Sequence, residues 1–595
     1  MKFLRDINLP NVFPLHRLAS RIPPALIFWV CIAVLNALLF APVYLFQRQE
    51  MAFFPWQAQD PLSWSNLTLQ RANLDLFRLN LEFIFLVLLW YGFRPLRRTA
   101  FFFFIFAIYL LQLAYAVYEG FMRGFYLLAP DAYNDWPMIA KGTEFVTQSL
   151  HLSIFLYPGG LVLLLLVGWL LYALHKTLFS SSLADKLGRA HILALALILL
   201  AAGTASLKAD VDLESPQAVL SSFTARLGGN ITRSQATRMA SQRFEFERLA
   251  PFYELTGSEL AHKPNIYIIF IESYGSVLVK RDDFKAATDS LMPQLENLLE
   301  DDGWSVSSTL SKSPIWGGGS WIAYTSFLFG LGLESDYDFR QLLARYDQQQ
   351  FPHLINYLKG QGYRSFSLDS SSSHLEEQRR KQLIRFFGMD EWLRFTDTPY
   401  EGPLYGWGPS MPDQYALNSA LESIKARYGT PHVFFFITQN SHFPWNPLPE
   451  LVTDWRSLND IPAPEVESGT ATHDEVRQRY LASIQYELNV LVDMIIKQGQ
   501  EEDIFILIGD HQPARVARHE DGMDTPVHII SRDKDFTAAF EEYGFVDGLK
   551  INQTQASMHH AGFLSLIERI ISQQYGVEGK SHPAYHPLGA DLTVE

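Results

Sequence analysis

Long apolar runs dominate the first third of the chain, and the remainder alternates short apolar runs with polar stretches. A helix needs about 20 residues to cross a hydrocarbon core of about 30 Å. The runs predict five transmembrane helices, at residues 22–46, 79–93, 100–118, 152–174 and 192–207. The second, which contains Glu82, and the fifth are short for a crossing. A cleaved signal peptide is the alternative for the first run, but that run is too long and no small-residue cleavage pattern follows it.

Basic residues concentrate in alternate loops of this region. Segments 1–21, 94–98 and 176–189 hold ten Lys and Arg residues, whereas the longer loops between them hold only five. The positive-inside rule therefore predicts a cytoplasmic N-terminus. Five crossings then place everything beyond residue 208 on the extracytoplasmic side.

The pattern changes again after this transmembrane domain (1–208). Residues 209–262 are polar and are predicted to form a linker along the membrane, and residues 263–595 are predicted to form an exported domain. Three runs rich in β-branched and aromatic residues occur in the latter, at Asn265–Ile271, His432–Ile437 and Asp503–Ile508. Such runs are typical of strands buried on both faces of a parallel sheet. We expect an α/β domain with a mainly parallel central sheet.

Potential ligands follow each of these strands. Glu272 follows the first, Asn440 and His442 follow the second, and Asp510 with His511 follows the third. Singly, such residues are often caps or turn residues. Together they converge on one sheet edge, where α/β proteins keep their active sites. Carboxylate oxygen and imidazole nitrogen suit a divalent cation.

A glycine-rich segment supplies a candidate nucleophile. Three glycines precede Ser320, and the apolar run Trp321–Leu331 predicts a helix. Glycines permit close backbone approach and positive φ, and a helix N-terminus attracts anions. Ser320 would stand at that N-terminus, where a serine is also a common N-cap.

Composition excludes several other classes of protein. Residues 1–208 carry a net charge of +6 and the remainder −21, giving −15 for the 595 residues. An acidic exported part excludes a nucleic-acid binder that relies on a basic surface. The single cysteine, Cys31, lies in an apolar run, which excludes a disulfide framework and a cysteine-cluster metal site.

Four motifs carry a family resemblance. Ile271-Glu272-Ser273, the glycine-led Ser320, Thr438-Gln-Asn-Ser-His442-Phe-Pro and Gly509-Asp510-His511 resemble the sulfatase-like branch of the alkaline phosphatase superfamily. Within it, five crossings plus an exported domain resemble lipoteichoic acid synthases, phosphoglycerol transferases of periplasmic glucans and lipid phosphoethanolamine transferases. The tail Gly589-Ala-Asp-Leu592 resembles the family's closing motif. The resemblance implies a multi-pass protein of the bacterial inner membrane with a periplasmic or extracytoplasmic catalytic domain.

The resemblance also implies residue roles. Glu272, Ser320, Asp510 and His511 would bind one divalent metal ion, Mn²⁺, Zn²⁺ or Mg²⁺, and His442 would contact the transferred group. Phe387-Gly388-Met389-Asp390 resembles the turn after a substrate-binding helix, so Arg380 is a candidate for holding the headgroup phosphate. The transferases usually carry Thr at the position of Ser320. No Cys/Ser-x-Pro-x-Arg pattern follows Glu272, so we do not expect formylglycine-dependent sulfate-ester hydrolysis.

The function expected from these observations is transfer of a phospholipid headgroup phosphate through a seryl intermediate. The donor would be a phospholipid, with phosphoglycerol favoured over phosphoethanolamine, and the acceptor a glycan, lipid or polymer. A phosphodiester or phosphate hydrolase of the same fold is one alternative. A catalytically inactive membrane regulator is the other.

Overall fold

The computed structural model describes residues 22–46, 77–139, 156–215, 218–240, 249, 253, 259–346, 349–372, 376–406, 408–429, 431–464, 471–579 and 581–590. These residues form two compact units. Unit 1 comprises the described residues within Met1–Gly124 and Leu150–Thr232, and unit 2 those within Phe125–Ser149 and Arg233–Glu595. The basic segment 1–21 and the end of the closing motif, at residues 591–592, lie outside the described residues.

Unit 1 is helical. Its helices are α1 (Pro24–Phe46), α2 (Leu81–Gly92), α3 (Thr99–Phe121), α4 (Leu156–Leu178), α5 (Ser181–Lys186), α6 (Arg189–Lys208) and the start of α7 (Phe223–Ala240). Four described helical stretches are long and apolar enough to cross a membrane: Pro24–Phe46, Thr99–Tyr126, Gly159–Lys186 and Arg189–Lys208. The predicted count of five is therefore not confirmed, because α2 has 12 residues and spans only about 18 Å at 1.5 Å per residue.

Contacts within unit 1 fix both ends of α2. At its start, Glu82 accepts hydrogen bonds from the backbone N–H groups of Phe223 and Thr224 at 2.8 and 3.0 Å. Beside it, Leu79–Asn80 pairs in parallel with Leu220–Ser221. Beyond its end, Arg97 donates to Asp185 between α4 and α6, at 2.9 Å. The short helix thus runs from the segment that follows α6 to the loop between α4 and α6.

Unit 2 is built on a nine-stranded sheet. Its strands are β1 (Asn265–Ile271), β2 (Ser305–Lys312), β3 (Arg364–Asp369), β4 (Glu391–Arg394), β5 (His432–Ile437), β6 (Asp503–Gly509), β7 (Asp524–Ser531), β8 (Val546–Asp547) and β9 (Met558–His559). Their spatial order is β8-β2-β7-β6-β1-β5-β3-β4, and β9 pairs with β2. The three predicted strands, β1, β5 and β6, are neighbours at the centre.

The sheet is mixed, so the predicted mainly parallel sheet is not confirmed as a whole. Strands β6, β1, β5, β3 and β4 run parallel, but β7 runs antiparallel to both β6 and β2, and β8 is antiparallel to β2. The reversed part escaped prediction because β2 reads SVSSTLSK and β7 contains Pro526 and His528. These serines, the proline and the histidine interrupt the apolar run that is expected of a buried strand.

Helices cover both faces of the sheet. They are α8 (Val277–Lys280), α9 (Asp282–Asp301), α10 (Ser320–Phe329), α11 (Asp336–Tyr346), α12 (Leu354–Gly360), α13 (Glu377–Phe386), α14 (Asp413–Arg427), α15 (His473–Gln498), α16 (Lys534–Ala538) and α17 (Phe563–Tyr575). Successive residues of β1 enter opposite cores: Ile266, Ile268 and Phe270 one, Tyr267 and Ile269 the other. Each such burial contributes roughly 1.5–3 kcal/mol, so the central strands form a rigid base for the loops at their carboxyl ends.

Candidate metal and nucleophile site

Three predicted ligands meet at the carboxyl edge of the central strands. Glu272 follows β1, and Asp510 and His511 follow β6. All three are buried, and one ligand atom from each lies within 4.8 Å of the others. Adjacent residues of a strand point to opposite faces, so Asp510 and His511 converge only because the strand ends at Gly509. A methyl group on Gly509 would lie 1.9 Å from the carbonyl oxygen of Tyr274.

The Asp510 carboxylate is held by one oxygen and presents the other to the cluster. Its Oδ1 accepts the backbone N–H groups of Ser273 at 2.8 Å and His511 at 2.7 Å. Its Oδ2 is buried and has no hydrogen-bond donor among the described residues. Burial, followed by the charge of Glu272, raises the pKa of Asp510 to about 7. Two buried carboxylates this close together favour a positive partner, which a divalent cation would supply.

The ring of His511 is oriented by its own backbone neighbourhood. Its Nδ1 lies 2.8 Å from the carbonyl oxygen of Gln512, and a carbonyl only accepts, so Nδ1 carries the hydrogen. In the neutral ring Nε2 has the lone pair, which accepts the backbone N–H of Gly318 at 3.1 Å, and it lies 3.4 Å from Glu272 Oε1 and 3.3 Å from Asp510 Oδ2. A carbonyl partner of this kind fixes the tautomer of metal-binding histidines.

Glu272 connects the cluster to the candidate nucleophile. Its N–H donates to the Thr438 hydroxyl at 3.0 Å, and its Oε1 accepts from the Ser273 hydroxyl at 2.9 Å. Its Oε2 accepts from Ser320 Oγ at 3.0 Å. Ser273 has a φ of 60°, a left-handed conformation that is strained for a residue with a side chain. The turn after β1 is thus held by neighbouring contacts in the geometry that presents Glu272.

Ser320 is the first residue of α10 and is half-buried. Gly318 and Gly319 precede it with φ of 68° and 79°, conformations that glycine adopts without steric cost. Ser320 Oγ lies 3.3 Å from His511 Nε2. The Ser320 hydroxyl thus lies close to the ligand cluster and also at a helix N-terminus. Both positions favour the binding of an anionic group, such as a phosphate, beside it.

His442 lies in the loop after β5. Its Nδ1 donates to the carbonyl oxygen of Phe443 at 2.7 Å, which leaves the lone pair of the neutral ring on Nε2. Burial lowers its pKa to about 4, with the neighbouring His511 contributing in the same direction. The ring is therefore neutral near pH 7.

Two adjacent arginines of α13, Arg379 and Arg380, differ in their surroundings. Arg380 donates to Glu377 from Nε and Nη2, at 3.0 and 3.1 Å. These hydrogen bonds do not connect it to the Glu272 cluster. Arg379, which is partly buried, has its pKa lowered by burial and raised in part by the charges of Asp336 and Tyr324.

Sequence reasoning did not identify the residues that support the candidate ligands. Asp413, the first residue of α14, accepts the backbone N–H groups of Gln439 and Asn440 at 2.6 and 2.7 Å and so fixes the loop of His442. Thr438 and Ser273 hold Glu272. The two hydroxyl residues lie inside quoted motifs, but Asp413 is separated in sequence from the loop that it binds. The sequence signal for Asp413 was limited to its position in the first turn of a helix.

Comparison with known proteins identifies the family. Residues 264–574 match the sulfatase family, and the chain belongs to it. No curated protein matches.

Similar solved structures include three bacterial proteins. The integral membrane protein lipooligosaccharide phosphoethanolamine transferase A (EptA) of Neisseria meningitidis has 11% sequence identity and a TM-score of 0.41, over 82% of this chain and 95% of that one. The lipoteichoic acid synthase LtaP of Listeria monocytogenes has 14% sequence identity and a TM-score of 0.34, over 48% of this chain and 71% of that one. The phosphoglycerol transferase GacH of Streptococcus pyogenes has 15% sequence identity and a TM-score of 0.32, over 58% of this chain and 87% of that one.

Proposed function

We propose that this protein is a membrane-anchored, metal-dependent phosphotransferase. It moves a phospholipid headgroup phosphate to an extracytoplasmic acceptor through a covalent intermediate on Ser320. The observation that carries the proposal is the position of the Ser320 hydroxyl, 3.0 Å from Glu272 Oε2 and 3.3 Å from His511 Nε2. A nucleophile within hydrogen-bond reach of a metal-ligand cluster is the arrangement expected for covalent catalysis.

The residues present fit one divalent cation. Glu272, Asp510 and His511 would hold it, with Ser320 Oγ as a fourth ligand, and the unsatisfied Oδ2 of Asp510 is an observed oxygen in need of a positive partner. When bound, Mn²⁺, Zn²⁺ or Mg²⁺ would neutralise phosphate charge and lower the pKa of a hydroxyl. The mixed oxygen and nitrogen donor set favours Zn²⁺ or Mn²⁺.

The side chains then divide the chemistry into two displacements. In the first, Ser320 Oγ gives its proton to Glu272 and forms a bond to phosphorus while the bond from phosphorus to the diacylglycerol oxygen breaks. His442 protonates the departing oxygen, because an anionic phosphodiester beside the ring raises its pKa. In the second, His442 takes the proton of an acceptor hydroxyl, whose oxygen displaces Ser320 Oγ from phosphorus. Ser320 recovers its proton from Glu272.

Phosphoglycerol is the favoured group and phosphatidylglycerol the favoured donor. Arg380 on α13 is proposed to hold the headgroup phosphate, which requires it to exchange its hydrogen bonds with Glu377 for the phosphate. An exposed ion pair of that kind stabilises the fold by only about 0–1 kcal/mol, so the exchange costs little. A glycan, a lipid or a polymer serves as acceptor.

Intact mass spectrometry of the full chain in detergent tests the proposal. After incubation with Mn²⁺ and phosphatidylglycerol, a headgroup–phosphate adduct is expected on the wild-type protein and on Ser326→Ala, which removes a buried hydroxyl of the same helix. It should be absent from Ser320→Ala, whose turnover should fall by at least about 10³-fold. An adduct on Ser320→Ala excludes the assignment. Release of headgroup phosphate to water as fast as to any acceptor would instead identify a hydrolase.

A further inference from the structure

One segment of unit 2 precedes the first strand of the sheet by more than a hundred residues in sequence. Residues 125–139, here called the strap, begin with the last two residues of the apolar stretch Thr99–Tyr126. A helix occupies residues 132–139 of the strap. Asp131 caps this helix by accepting the N–H groups of Tyr133 and Asn134, and it also accepts the Ser234 hydroxyl at 2.8 Å. Asn134 of the strap also accepts the backbone N–H of Tyr337, on α11, at 3.2 Å, so specific hydrogen bonds fix the strap to the rest of unit 2.

The strap packs on the glycine loop, Gly317–Gly319, that precedes Ser320. A methyl group on Gly318 would lie 2.4 Å from Cε1 of Tyr126, and one on Gly317 would lie 3.4 Å from the carbonyl oxygen of Phe125. The ring of Tyr126 thus occupies the space that a side chain on Gly318 would need. The nucleophile is two residues further along.

A second contact joins the strap to the loops of His511 and His442. The guanidinium of Arg515, four residues after His511, lies 5.4 Å from the ring centroid of Phe125 and 5.5 Å from that of Phe443. Phe443 follows His442 directly. Arg515 has a φ of 63°, and such backbone strain persists only where neighbouring contacts hold it.

We propose that Tyr126 is a positioning residue for the nucleophile, acting through the glycine loop to hold Ser320 Oγ in line with Glu272. The proposal rests on the function proposed for Ser320. Glycines in left-handed conformations lose much backbone entropy on ordering, so this loop needs external support. The N–H of Gly318 donates to His511 Nε2 at 3.1 Å, the nitrogen that faces the ligand cluster. A cation bound there would take the lone pair from Gly318, and the packing of Tyr126 would then hold the loop.

Three variants test this assignment in the full-length protein. Tyr126→Phe keeps the ring and should retain kcat within about twofold. Tyr126→Ala should lower kcat by about 10- to 100-fold, as small misplacements of reacting groups do, with KM within about threefold and metal content unchanged. Trp136→Ala is the matched control, because this strap residue is 72% exposed. A kcat for Tyr126→Ala equal to that of wild type overturns the proposal, as does an equal loss in Tyr126→Phe.

Hydrogen exchange, which does not depend on turnover, tests the role of Tyr126 separately from the proposed transferase function. Hydrogen exchange of the metal-loaded protein should become at least about tenfold faster at the amides of Gly318–Ser320 in Tyr126→Ala, but not in Trp136→Ala. If wild type shows no transfer while this exchange difference is present, the function of Ser320 is wrong and the role of Tyr126 stands. Unchanged exchange in that loop refutes the positioning role. A general rise across unit 2 also refutes it, since the residue would then support the whole fold.

Discussion

Single side chains decide the chemistry of this site, and each has a separable task. Asp510 uses Oδ1 to bind two backbone N–H groups and leaves Oδ2 to the cluster. His511 directs Nε2 to the cluster because Nδ1 is fixed by a carbonyl. Ser320 is kept accessible, whereas Thr325 and Ser326 of the same helix are buried. Substitution at one atom can therefore distinguish metal binding from proton transfer.

Asp510→Asn tests the ligand role. Asparagine can keep the two hydrogen bonds accepted by Oδ1 but replaces Oδ2 by an amide that cannot bind a cation. Metal content and activity should fall together, each by at least about tenfold, as measured by elemental analysis and headgroup transfer. Glu568→Gln, at a buried carboxyl outside the cluster, should leave the metal in place. Full metal occupancy in Asp510→Asn would exclude the residue as an essential ligand.

His442→Ala tests proton transfer. The variant should keep its metal and lose about 10²–10⁴ in kcat, the usual contribution of a general acid or base. The exposed His262, changed to Ala, serves as the control. Loss of metal would make His442 a ligand, and retained activity would show that the loop has no part in the reaction.

At the scale of elements, apolar patterning located the centre of the sheet but not its periphery. Strands β1 and β5 have the predicted bounds, and β6 ends one residue later, because strands buried on both faces need uninterrupted apolar residues. Strand β2 was not predicted, since serines in it are buried with partners distant in sequence, such as His528 for Ser308 at 2.7 Å and His560 for Ser311 at 2.9 Å. The candidate ligands could be predicted because they follow the apolar strands directly. Their supports could not, since Asp413 approaches from another helix.

The buried carboxyls around Asp413, which holds the loop of His442, should make the stability of the fold depend on pH. Glu487 on α15 and Asp413 on α14 are both fully buried, and burial raises the pKa of both, that of Asp413 to about 6 and that of Glu487 well above its usual value. Asp413 accepts two backbone N–H groups, which favours its charged form. The neighbouring charge of Asp413 raises the pKa of Glu487 further, so Glu487 is the carboxyl of this pair that keeps a proton.

Glu487→Gln should remove this pH dependence. Above about pH 4.3 the unfolded chain releases the Glu487 proton while the folded chain retains it, so stability falls as pH rises, by at most about 1.4 kcal/mol per pH unit. Glutamine offers Asp413 a donor that does not titrate. The melting temperature of wild type should drop more between pH 5 and pH 8 than that of Glu487→Gln, with the exposed Glu422→Gln following wild type. Parallel pH profiles of all three would contradict the assignment.

At the scale of the whole molecule, the number of crossings determines on which side the catalytic unit lies. Helix α2 has 12 residues, yet its start contacts the segment after α6 and the loop at its end contacts α5. The basic residues at 94–98 also require α2 to cross if they share a side with residues 1–21. Both arguments favour five crossings, which stays a prediction.

Cysteine labelling tests directly whether α2 crosses the membrane. In a Cys31→Ser chain, the exposed positions Phe77, Thr99 and Ser290 would each be changed to Cys in turn. An impermeant maleimide should label Phe77→Cys and Ser290→Cys in intact cells, and Thr99→Cys only after lysis. Equal labelling of Phe77→Cys and Thr99→Cys in intact cells would show that α2 does not cross.

The strap makes the catalytic unit discontinuous in sequence. A soluble fragment cut from the chain at residue 209 or 263 would contain every candidate ligand and the whole sheet, but it would leave Phe125 and Tyr126 behind with the membrane helices. The face of Gly318 that Tyr126 covers would then be open to water. Such a fragment would report faithfully on metal affinity and would underestimate turnover, so rate measurements belong to the full-length chain.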